Sequence, residues 1–391
     1  MPLCRGYSTA EENPAGADKR EQSARQGRLG EMWENLDVRL TKAGADQKKK
    51  KPALEDLGFG KHFTDHMFLM KWDKENGWHD AEICPYHQFQ VDPAAMVFHY
   101  GQAIFEGMKA YKGKDGQILL FRPRDNFERM NNSALRLCMP RLPVDKVFKS
   151  LKALVYLERD WIPDGDGATL YIRPTMIAME PTLGVKPSSL YYFYIIMSPV
   201  GAYYPEGFNP TKIYITDKYV RAVEGGVGNV KTAGNYAASL LASQEAKEAG
   251  YTQVLWLDAC ERKYVEEVGT SNIFFRIKDT VITPPLHGSI LGGITRDSVI
   301  KMVQHWGISM EERRVSIDEV VSASQDGSLQ EVFGTGTAAV ISPVGELFYK
   351  GQKYVINNGQ TGELSQRLFE ELQGIQYGRK EDPFTWTTRV G

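Results

Sequence analysis

Runs of apolar residues divide the first half of the chain into strand-like and helix-like segments. Residues 116–122 (GQILLFR) and 168–178 (ATLYIRPTMIA) are rich in branched and aromatic side chains, which predicts two strands. Residues 144–161 between them predict an amphipathic helix. Its apolar face is formed by Val147, Phe148, Leu151, Leu154 and Val155.

The second half of the chain alternates short strands with helices. TQVLWL and NIFFRI predict strands, and residues 235–250 and 295–307 predict helices. The longest apolar stretch, residues 190–204, contains Ser198, Pro199 and Gly201, so it predicts a buried strand that enters a loop and not a membrane span. The pattern indicates an α+β or mixed α/β class with two domains.

Composition shifts predict the domain boundaries and the nature of the N-terminal region. The predicted units are a polar N-terminal arm or linker (1–55), a smaller α/β domain (56–199), an interdomain loop rich in Gly, Pro and Tyr (200–210) and a larger domain (211–391). In the arm, apolar residues from Leu29 to Leu40 recur at helical spacing and predict a short amphipathic helix. The four lysines at 48–51 suit a tether to nucleic acid or membrane, or a solvated linker; the short run and acidic surroundings favour the linker.

Charge and cysteine content exclude several functional classes. The 391 residues carry a formal net charge of -2, so nothing predicts a global attraction to nucleic acid or to an anionic membrane. The four cysteines lie far apart without a CxxC pair, and no cysteine or histidine spacing predicts a metal site. Sparse cysteines and an N-terminus without an apolar signal predict a cytoplasmic protein.

The glycine-rich segment 224–236 (EGGVGNVKTAGNY) raises the question of a nucleotide site. A phosphate-binding loop requires glycine immediately before its lysine, but Val230 stands there. The dinucleotide fingerprint fails as well, because Lys231 occupies the place of the third glycine. What remains is a lysine among small residues, which suits either an exposed turn or a confined amine able to attack a carbonyl.

Two further segments shift the balance towards a phosphate-bearing cofactor. In residues 289–298 (SILGGITRDS) a glycine pair precedes a predicted helix start, where backbone N–H groups bind phosphate well. Residues 333–340 (FGTGTAAV) are small enough to let an anion approach the backbone. Together with Glu266 and Glu267, which could partner a ring nitrogen, these segments indicate pyridoxal 5'-phosphate.

The sequence resembles the branched-chain amino acid aminotransferases, pyridoxal phosphate enzymes of fold-type IV. The resemblance is carried, in family order from about residue 100 to 346, by YGQAIFEGMKAY, LLFRP, LYIRP, EPTLGV, SPVGAYY, VKTAGNYA, EEVGTSNIFF, GSILGGITR and FGTGTAAVISPVGE. It implies a two-domain fold with the cofactor between the domains and the larger domain as the cofactor-binding one.

The resemblance also implies the cofactor-binding residues. Lys231 would hold the cofactor covalently and then move the proton between substrate and cofactor, and Glu267 would pair with the protonated pyridine nitrogen. Arg122 would hold the phosphate, and Tyr236 would hydrogen-bond the 3'-oxygen. Arg221 would support the phosphate side. The remaining phosphate donors would be Ile294, Thr295, Thr337 and Ala338.

Substrate residues follow from the same resemblance. One pocket must accept an apolar side chain and also the γ-carboxylate of glutamate; Arg173 would meet that carboxylate. Thr270, Thr337 and Ala338 would bind the α-carboxylate. Aromatic walls would come from Tyr100, Phe105, Tyr171 and Tyr203, for which ordinary core packing is the alternative. Leu183 and Val185 would reach the partner subunit's site, which implies a homodimer or larger homo-oligomer. Lys109 in FEGMK has no assigned role.

The implied activity is reversible ping-pong transfer of the amino group between L-leucine, L-isoleucine or L-valine and 2-oxoglutarate. In the biosynthetic direction it is the last step of branched-chain amino acid synthesis. A D-amino acid aminotransferase and an aminodeoxychorismate lyase share the fold and are the nearest alternatives. A non-catalytic cofactor-binding protein is disfavoured because Lys231, Glu267 and Arg122 are all present.

Overall fold

The computed structural model describes residues 36–165, 167–201 and 208–391. Two nine-stranded sheets organise these residues, and the chain passes from one to the other after Val200. The mixed helix and sheet content confirms the predicted fold class. No helix in the described ranges is both long and apolar enough to cross a bilayer.

The first sheet is built mainly from the N-terminal half of the chain. Its strands are β1 (Arg39–Leu40), β2 (His66–Asp73), β3 (Gly77–Pro85), β4 (Ala103–Phe105), β5 (Met108–Lys112), β6 (Ile118–Phe121), β7 (Thr169–Ala178), β8 (Leu190–Val200) and β18 (Thr387–Val390). The order is β1-β3-β2-β8-β7-β5-β6-β18, with β4 also paired to β7. Only the β1–β3 pair among these strands is parallel.

Helices pack on one face of the first sheet. They are α1 (Met96–Tyr100), α2 (Pro123–Arg136) and α3 (Val144–Leu157). The predicted helix at 144–161 is confirmed as α3, followed by a 3-10 turn at Arg159–Trp161. Phe127 of α2 and Leu151 of α3 lie fully buried in one apolar cluster with Phe68 and Ile172 of the sheet, which fixes the helices against it.

The second sheet closes partly on itself. Its strands are β9 (Thr211–Thr216), β10 (Gln253–Leu257), β11 (Val265–Val268), β12 (Ser271–Ile277), β13 (Thr280–Thr283), β14 (Ser309–Glu312), β15 (Leu329–Gly336), β16 (Val340–Tyr349) and β17 (Gln352–Val355). The order is β11-β10-β9-β16-β15-β12-β13-β14, with β17 on β16, and β11 also pairs with β12. The first six strands therefore form a closed ring around the core that contains Ile213, Leu255 and Val332.

The helices of the second half are α4 (Ala233–Ala238), α5 (Leu240–Glu248), α6 (Ile294–His305), α7 (Ile317–Gln325) and α8 (Glu363–Gln376). The single helix predicted over 235–250 is two helices that meet at Ser239, whose hydroxyl donates to the carbonyl of Tyr236. Met302 of α6 and Leu368 of α8 share a cluster with Phe121 of β6 and with Trp386, which immediately precedes β18. This cluster joins the two sheets.

Two strands pair with strands that belong to another of the units predicted from the sequence. β1, from the predicted arm, pairs with β3, and β18, from the predicted larger domain, pairs with β6. The predicted helix over residues 29–40 is wrong at Arg39–Leu40, and residues before Leu36 lie outside the described ranges. In both cases an edge strand of the first sheet offers unpaired backbone groups that the passing segment satisfies.

The lysine run is only partly a solvated linker. Lys49 donates from Nζ to the carbonyl of Thr64 at 2.9 Å, and its ammonium lies 4.0 Å from the ring centre of Tyr86. Its backbone N–H also donates to Asp65. The run is therefore docked on the body of the protein through its second lysine.

Candidate active site

A cavity of about 430 Å³ lies between the two sheets and contains Lys231. The first sheet contributes Phe105, Tyr171 and Arg173, and the second half contributes Tyr236 and the turn that follows β15. The full lining is Phe59, Phe105, Gly107, Tyr171, Arg173, Lys231, Ala233, Tyr236, Thr270, Ser271, Gly336, Thr337, Ala338 and Ala339.

Lys231 is held at the junction of the two halves. Its backbone N–H donates to the Ser133 hydroxyl, its carbonyl accepts from the N–H of Phe105, and Thr232 forms a bridge with Ile104. The preceding loop needs glycine at 228, because a Cβ there would lie 2.3 Å from the carbonyl oxygen of Ser289. The glycine-rich sequence thus lets this loop pack tightly and present the lysine between the sheets.

The amine of Lys231 has a defined partner in the cavity. Nζ donates to the Tyr236 hydroxyl at 2.8 Å and lies 5.0 Å from the ring centre of Phe105. The Phe105 and Tyr236 rings themselves pack at 4.8 Å. The Lys231 side chain therefore lies against the rings of Phe105 and Tyr236, and the Tyr236 hydroxyl accepts its hydrogen bond.

Glu267 lies in a small adjoining void that shares Tyr236 and Thr270 with the main cavity. Its Oε1 accepts from the N–H of Leu291 at 2.8 Å, and its Oε2 lies 3.1 Å from Arg221 Nε. Burial raises the pKa of Glu267, and the opposing pull of Arg221, then of the Leu291 N–H, does not cancel that effect.

Arg221 lies beside the Glu267 carboxylate. Its Nη2 donates to the carbonyls of Gly228 and Ser289, and its Nε faces Glu267 without the alignment of a hydrogen bond. The buried carboxylate and the two carbonyls account for this placement, because a guanidinium needs acceptors wherever it is buried.

Arg122 is not among the residues that line the main cavity. Its guanidinium pairs with Asp125 and Asp297, donates to Ser298 and reaches the carbonyl of Ile294 at 3.4 Å. It therefore lies at the first turn of α6, with its charge already balanced by two carboxylates.

A second buried arginine near the cavity was missed by the sequence analysis. Arg129 Nε and Nη2 each donate at 2.7 Å to the fully buried Glu106, and Nη1 donates to the carbonyl of Gly292 just before α6. Burial favours a higher pKa for Glu106, but Arg129 outweighs it and the pKa is lowered. Glu106 was visible only as part of FEGMK, and Arg129 belongs to no motif that was singled out.

The start of α6 suits a phosphate group. The helix begins at Ile294 after Gly293, and Ile294 and Thr295 line a small void together with Thr337 and Lys109. A Cβ at position 293 would lie 2.0 Å from Asn272 Oδ1, so only glycine lets the backbone pack here. The N–H groups at the start of α6, with Arg122 and Arg129 nearby and Lys231 in the main cavity, together fit the group predicted from sequence.

The residues predicted to bind the substrate differ in their positions. Tyr171, Arg173, Phe105 and Thr270 line the cavity, and Arg173 donates from Nη2 to the Tyr171 hydroxyl at 2.9 Å. Tyr100 is 40% exposed and contacts the Leu183 carbonyl through its hydroxyl, away from this chain's own cavity. Tyr203 lies outside the described residues.

Both the sequence and the structure of the chain are similar to those of known proteins. The sequence model of the amino-transferase class IV family matches residues 103–347. "Branched-chain-amino-acid aminotransferase 2" of Bacillus subtilis is 55% identical over 343 residues, which are 88% of this chain and 94% of that protein. The crystal structure of the Escherichia coli branched-chain amino acid aminotransferase superposes with a TM-score of 0.71 at 26% identity, over 84% of this chain and 99% of that one.

A further solved branched-chain amino acid aminotransferase, crystallised with pyridoxamine 5'-phosphate, superposes with a TM-score of 0.68 at 28% identity, over 82% of this chain and 98% of that one. The sequence comparisons and the structural comparisons thus point to the same group of proteins. The chain belongs to the amino-transferase class IV family, among the branched-chain aminotransferases.

Proposed function

We propose that the protein transfers the amino group between L-leucine, L-isoleucine or L-valine and 2-oxoglutarate, with pyridoxal 5'-phosphate as its cofactor. The observation that carries the proposal is Lys231, hydrogen-bonded to Tyr236 in a cavity that combines aromatic walls with the Arg173 guanidinium. In a cell that makes these amino acids, the reaction is the last step of their biosynthesis. The 55% identity to a protein named for this activity supports the same conclusion.

The residues around Lys231 fit the cofactor. Lys231 would hold it, Glu267 would pair with its ring nitrogen and the first turn of α6 would receive its phosphate. When bound, pyridoxal 5'-phosphate supplies an aldehyde that accepts the amino group and a ring that withdraws electrons from the substrate Cα. Arg221 favours the ionised form of Glu267, because its positive charge opposes the effect of burial on that carboxyl.

Proton transfer falls to Lys231 in this proposal. Its Nζ donates to the Tyr236 hydroxyl in this structure, so the free amine has a partner that orients it. Once the substrate amino group has replaced Lys231 on the cofactor, the released Lys231 amine would take the proton from the substrate Cα and deliver it to the cofactor. Tyr236 would keep the amine aligned through both transfers.

Two chemical features of the cavity explain how one site could accept both substrates. The rings of Phe105 and Tyr171 give apolar contact for a branched side chain. Arg173 lies against both rings, with its Nε unpaired and buried, and could pair with the second carboxylate of glutamate. The stacking keeps the guanidinium close to the apolar wall when no carboxylate is present.

We propose a homodimer for the working enzyme. Leu183 is 65% exposed and Val185 85% exposed, although both are apolar, and Tyr100 contacts the same segment. Such a segment suits insertion into a partner subunit's site. Sedimentation at several concentrations tests this: a monomer at micromolar concentration would contradict it. A cytoplasmic location remains part of the proposal, and cell fractionation tests it.

The visible absorption spectrum is the test of the activity. The purified protein should be yellow, should bleach on addition of L-leucine and should regain its colour with 2-oxoglutarate. Bleaching by D-alanine and not by L-leucine would favour the D-amino acid aminotransferase alternative. A colourless protein that does not take up pyridoxal 5'-phosphate would contradict the proposal.

Lys231→Ala should abolish both half-reactions while the protein still folds, because no other amine lines the cavity among the described residues. Lys247→Ala, at an exposed position of α5, is the matched control and should cycle normally. Near-normal turnover by the Lys231→Ala protein would refute the role of this lysine.

A further inference from the structure

Lys109 is a buried cation that the proposed chemistry leaves without a task. It lies on β5 and is only 6% exposed. Its Nζ donates at 2.7 Å to the carbonyl oxygen of Ala338, 229 residues further along the chain. No acidic side chain of the described residues pairs with it, and burial lowers its pKa to about 8. A lysine is rarely buried in this way without a partner of opposite charge.

The carbonyl that Lys109 holds belongs to the turn between β15 and β16. Residues 336–339 of this turn line the active cavity. In the described residues, the backbone N–H groups of Thr337 and Ala338 donate to no acceptor. The turn therefore has two N–H groups available to a ligand, while its Ala338 carbonyl is bound by the Lys109 ammonium.

The turn is strained where it rejoins the sheet. Val340 has φ of 64°, in the left-handed region that β-branched residues avoid, and it pairs with Gly336 across the hairpin. Such a conformation persists only where surrounding contacts enforce it. The bond from Lys109 is one such contact, because it ties the turn to the first sheet.

We propose that Lys109 is a positioning residue that holds the Thr337–Ala338 turn so that its N–H groups receive the substrate's α-carboxylate. The inference rests on the proposed function, since it concerns the carboxylate that both substrates share. Lys109 acts in two ways. It fixes the carbonyl of Ala338, and it places a positive charge behind the turn, where the charge favours a bound anion. Lys109 therefore sets affinity for the carboxylate and not for the side chain.

A mere packing role for Lys109 makes a different prediction. A side chain that only fills space would, when replaced, disturb every ligand of the cavity to a similar degree. A positioning role affects only ligands that carry a carboxylate. Two ligands of the same carbon skeleton separate these cases: 4-methylvalerate, which is leucine without its amino group, and 4-methyl-1-pentanol, which lacks the charge.

The experiment measures binding of both ligands to the pyridoxal phosphate-loaded protein by titration calorimetry. Lys109→Met should weaken the binding of 4-methylvalerate about tenfold, the loss expected when one N–H of the turn no longer reaches the carboxylate, and leave the binding of 4-methyl-1-pentanol unchanged. Lys112→Met is the control, because Lys112 is on the same strand but pairs at the surface with Asp164. It should bind both ligands as the unmodified protein does.

Lys109→Gln is the second variant, for the case that the Lys109→Met protein does not fold. It keeps an N–H donor but no charge, so a smaller loss is expected, again confined to 4-methylvalerate. Equal weakening of both ligands, or an unchanged ratio of their affinities, would overturn the inference. If the unmodified protein also fails to bind 4-methylvalerate and to bleach with leucine, the proposed function fails too. Normal cycling with an unchanged ratio would remove only the role of Lys109.

Discussion

The glycine that precedes α6 provides a sharp test of how the site is packed. Gly293 has φ of -69° and ψ of 134°, which alanine adopts without strain, so any penalty for Gly293→Ala is steric. The new Cβ would lie 2.0 Å from Asn272 Oδ1. Asn272 is itself held, because its Nδ2 donates to the carbonyl of Leu291. The N–H of Leu291 in turn binds Glu267, so a displaced Asn272 would disturb that carboxylate.

The expected cost follows from these contacts. Overpacking a buried site costs about 1–3 kcal/mol, and losing a buried hydrogen bond costs about 1–3 kcal/mol. Gly293→Ala should therefore lower the free energy of unfolding by about 2–6 kcal/mol. It should also weaken binding of pyridoxal 5'-phosphate. Urea unfolding at one protein concentration and a cofactor titration measure the two effects.

Gly292→Ala is the matched control for this experiment. A Cβ at that neighbouring glycine would meet only Leu286 Cδ1, at 3.4 Å, which is ordinary contact. Its unfolding free energy should stay within about 0.5 kcal/mol of the original. Adding Asn272→Ala to Gly293→Ala should recover part of the loss, because it removes the clashing atom. Equal free energies of unfolding for Gly292→Ala and Gly293→Ala would refute the steric clash at Gly293.

Three further predictions concern other parts of the site and fold. Glu106→Gln should lower the free energy of unfolding in urea by about 3–5 kcal/mol, because it leaves Arg129 buried without its charge partner. A decrease below about 1 kcal/mol, which is typical of surface ion pairs, would contradict this. Arg173→Met should raise the KM for 2-oxoglutarate at least about tenfold and that for L-leucine much less, so an equal rise in steady-state assays would count against the role of Arg173. Burial tends to raise the pKa of Asp258, but the N–H groups of residues 261, 264 and 263 outweigh it and lower the pKa. Its stabilising effect should therefore be complete above pH 3.8 and be lost as pH falls below that value, and Asp258→Asn should flatten this part of an acid-unfolding profile.

Local sequence patterns predicted the elements well wherever burial is continuous. The strands at 116–122 and 168–178 correspond to β6 and β7, because apolar and branched residues dominate there. The division of residues 235–250 into two helices was not predicted. It depends on Ser239, whose side chain bonds to the backbone, and helical periodicity does not register such a bond.

The site was predicted less completely than the fold. Lys231 and Glu267 stand in recognisable segments, and the structure brings both to the cavity and its adjoining void. Arg129 has no comparable signal, since it is one charged residue within α2. Its importance arises from Glu106, 23 positions earlier, and from the Gly292 carbonyl, 163 positions later. Only the folded chain reveals contacts over such separations.

The last strand has a consequence for how the protein is made. β18 completes the edge of the first sheet by pairing with β6, so that sheet contains residues from near both ends of the described chain. During synthesis, the outer edge of β6 stays uncovered until Thr387–Val390 have been made. The N-terminal half therefore cannot finish folding while the C-terminal half is still on the ribosome. Removing these four residues should expose that edge and favour aggregation of the newly made chain.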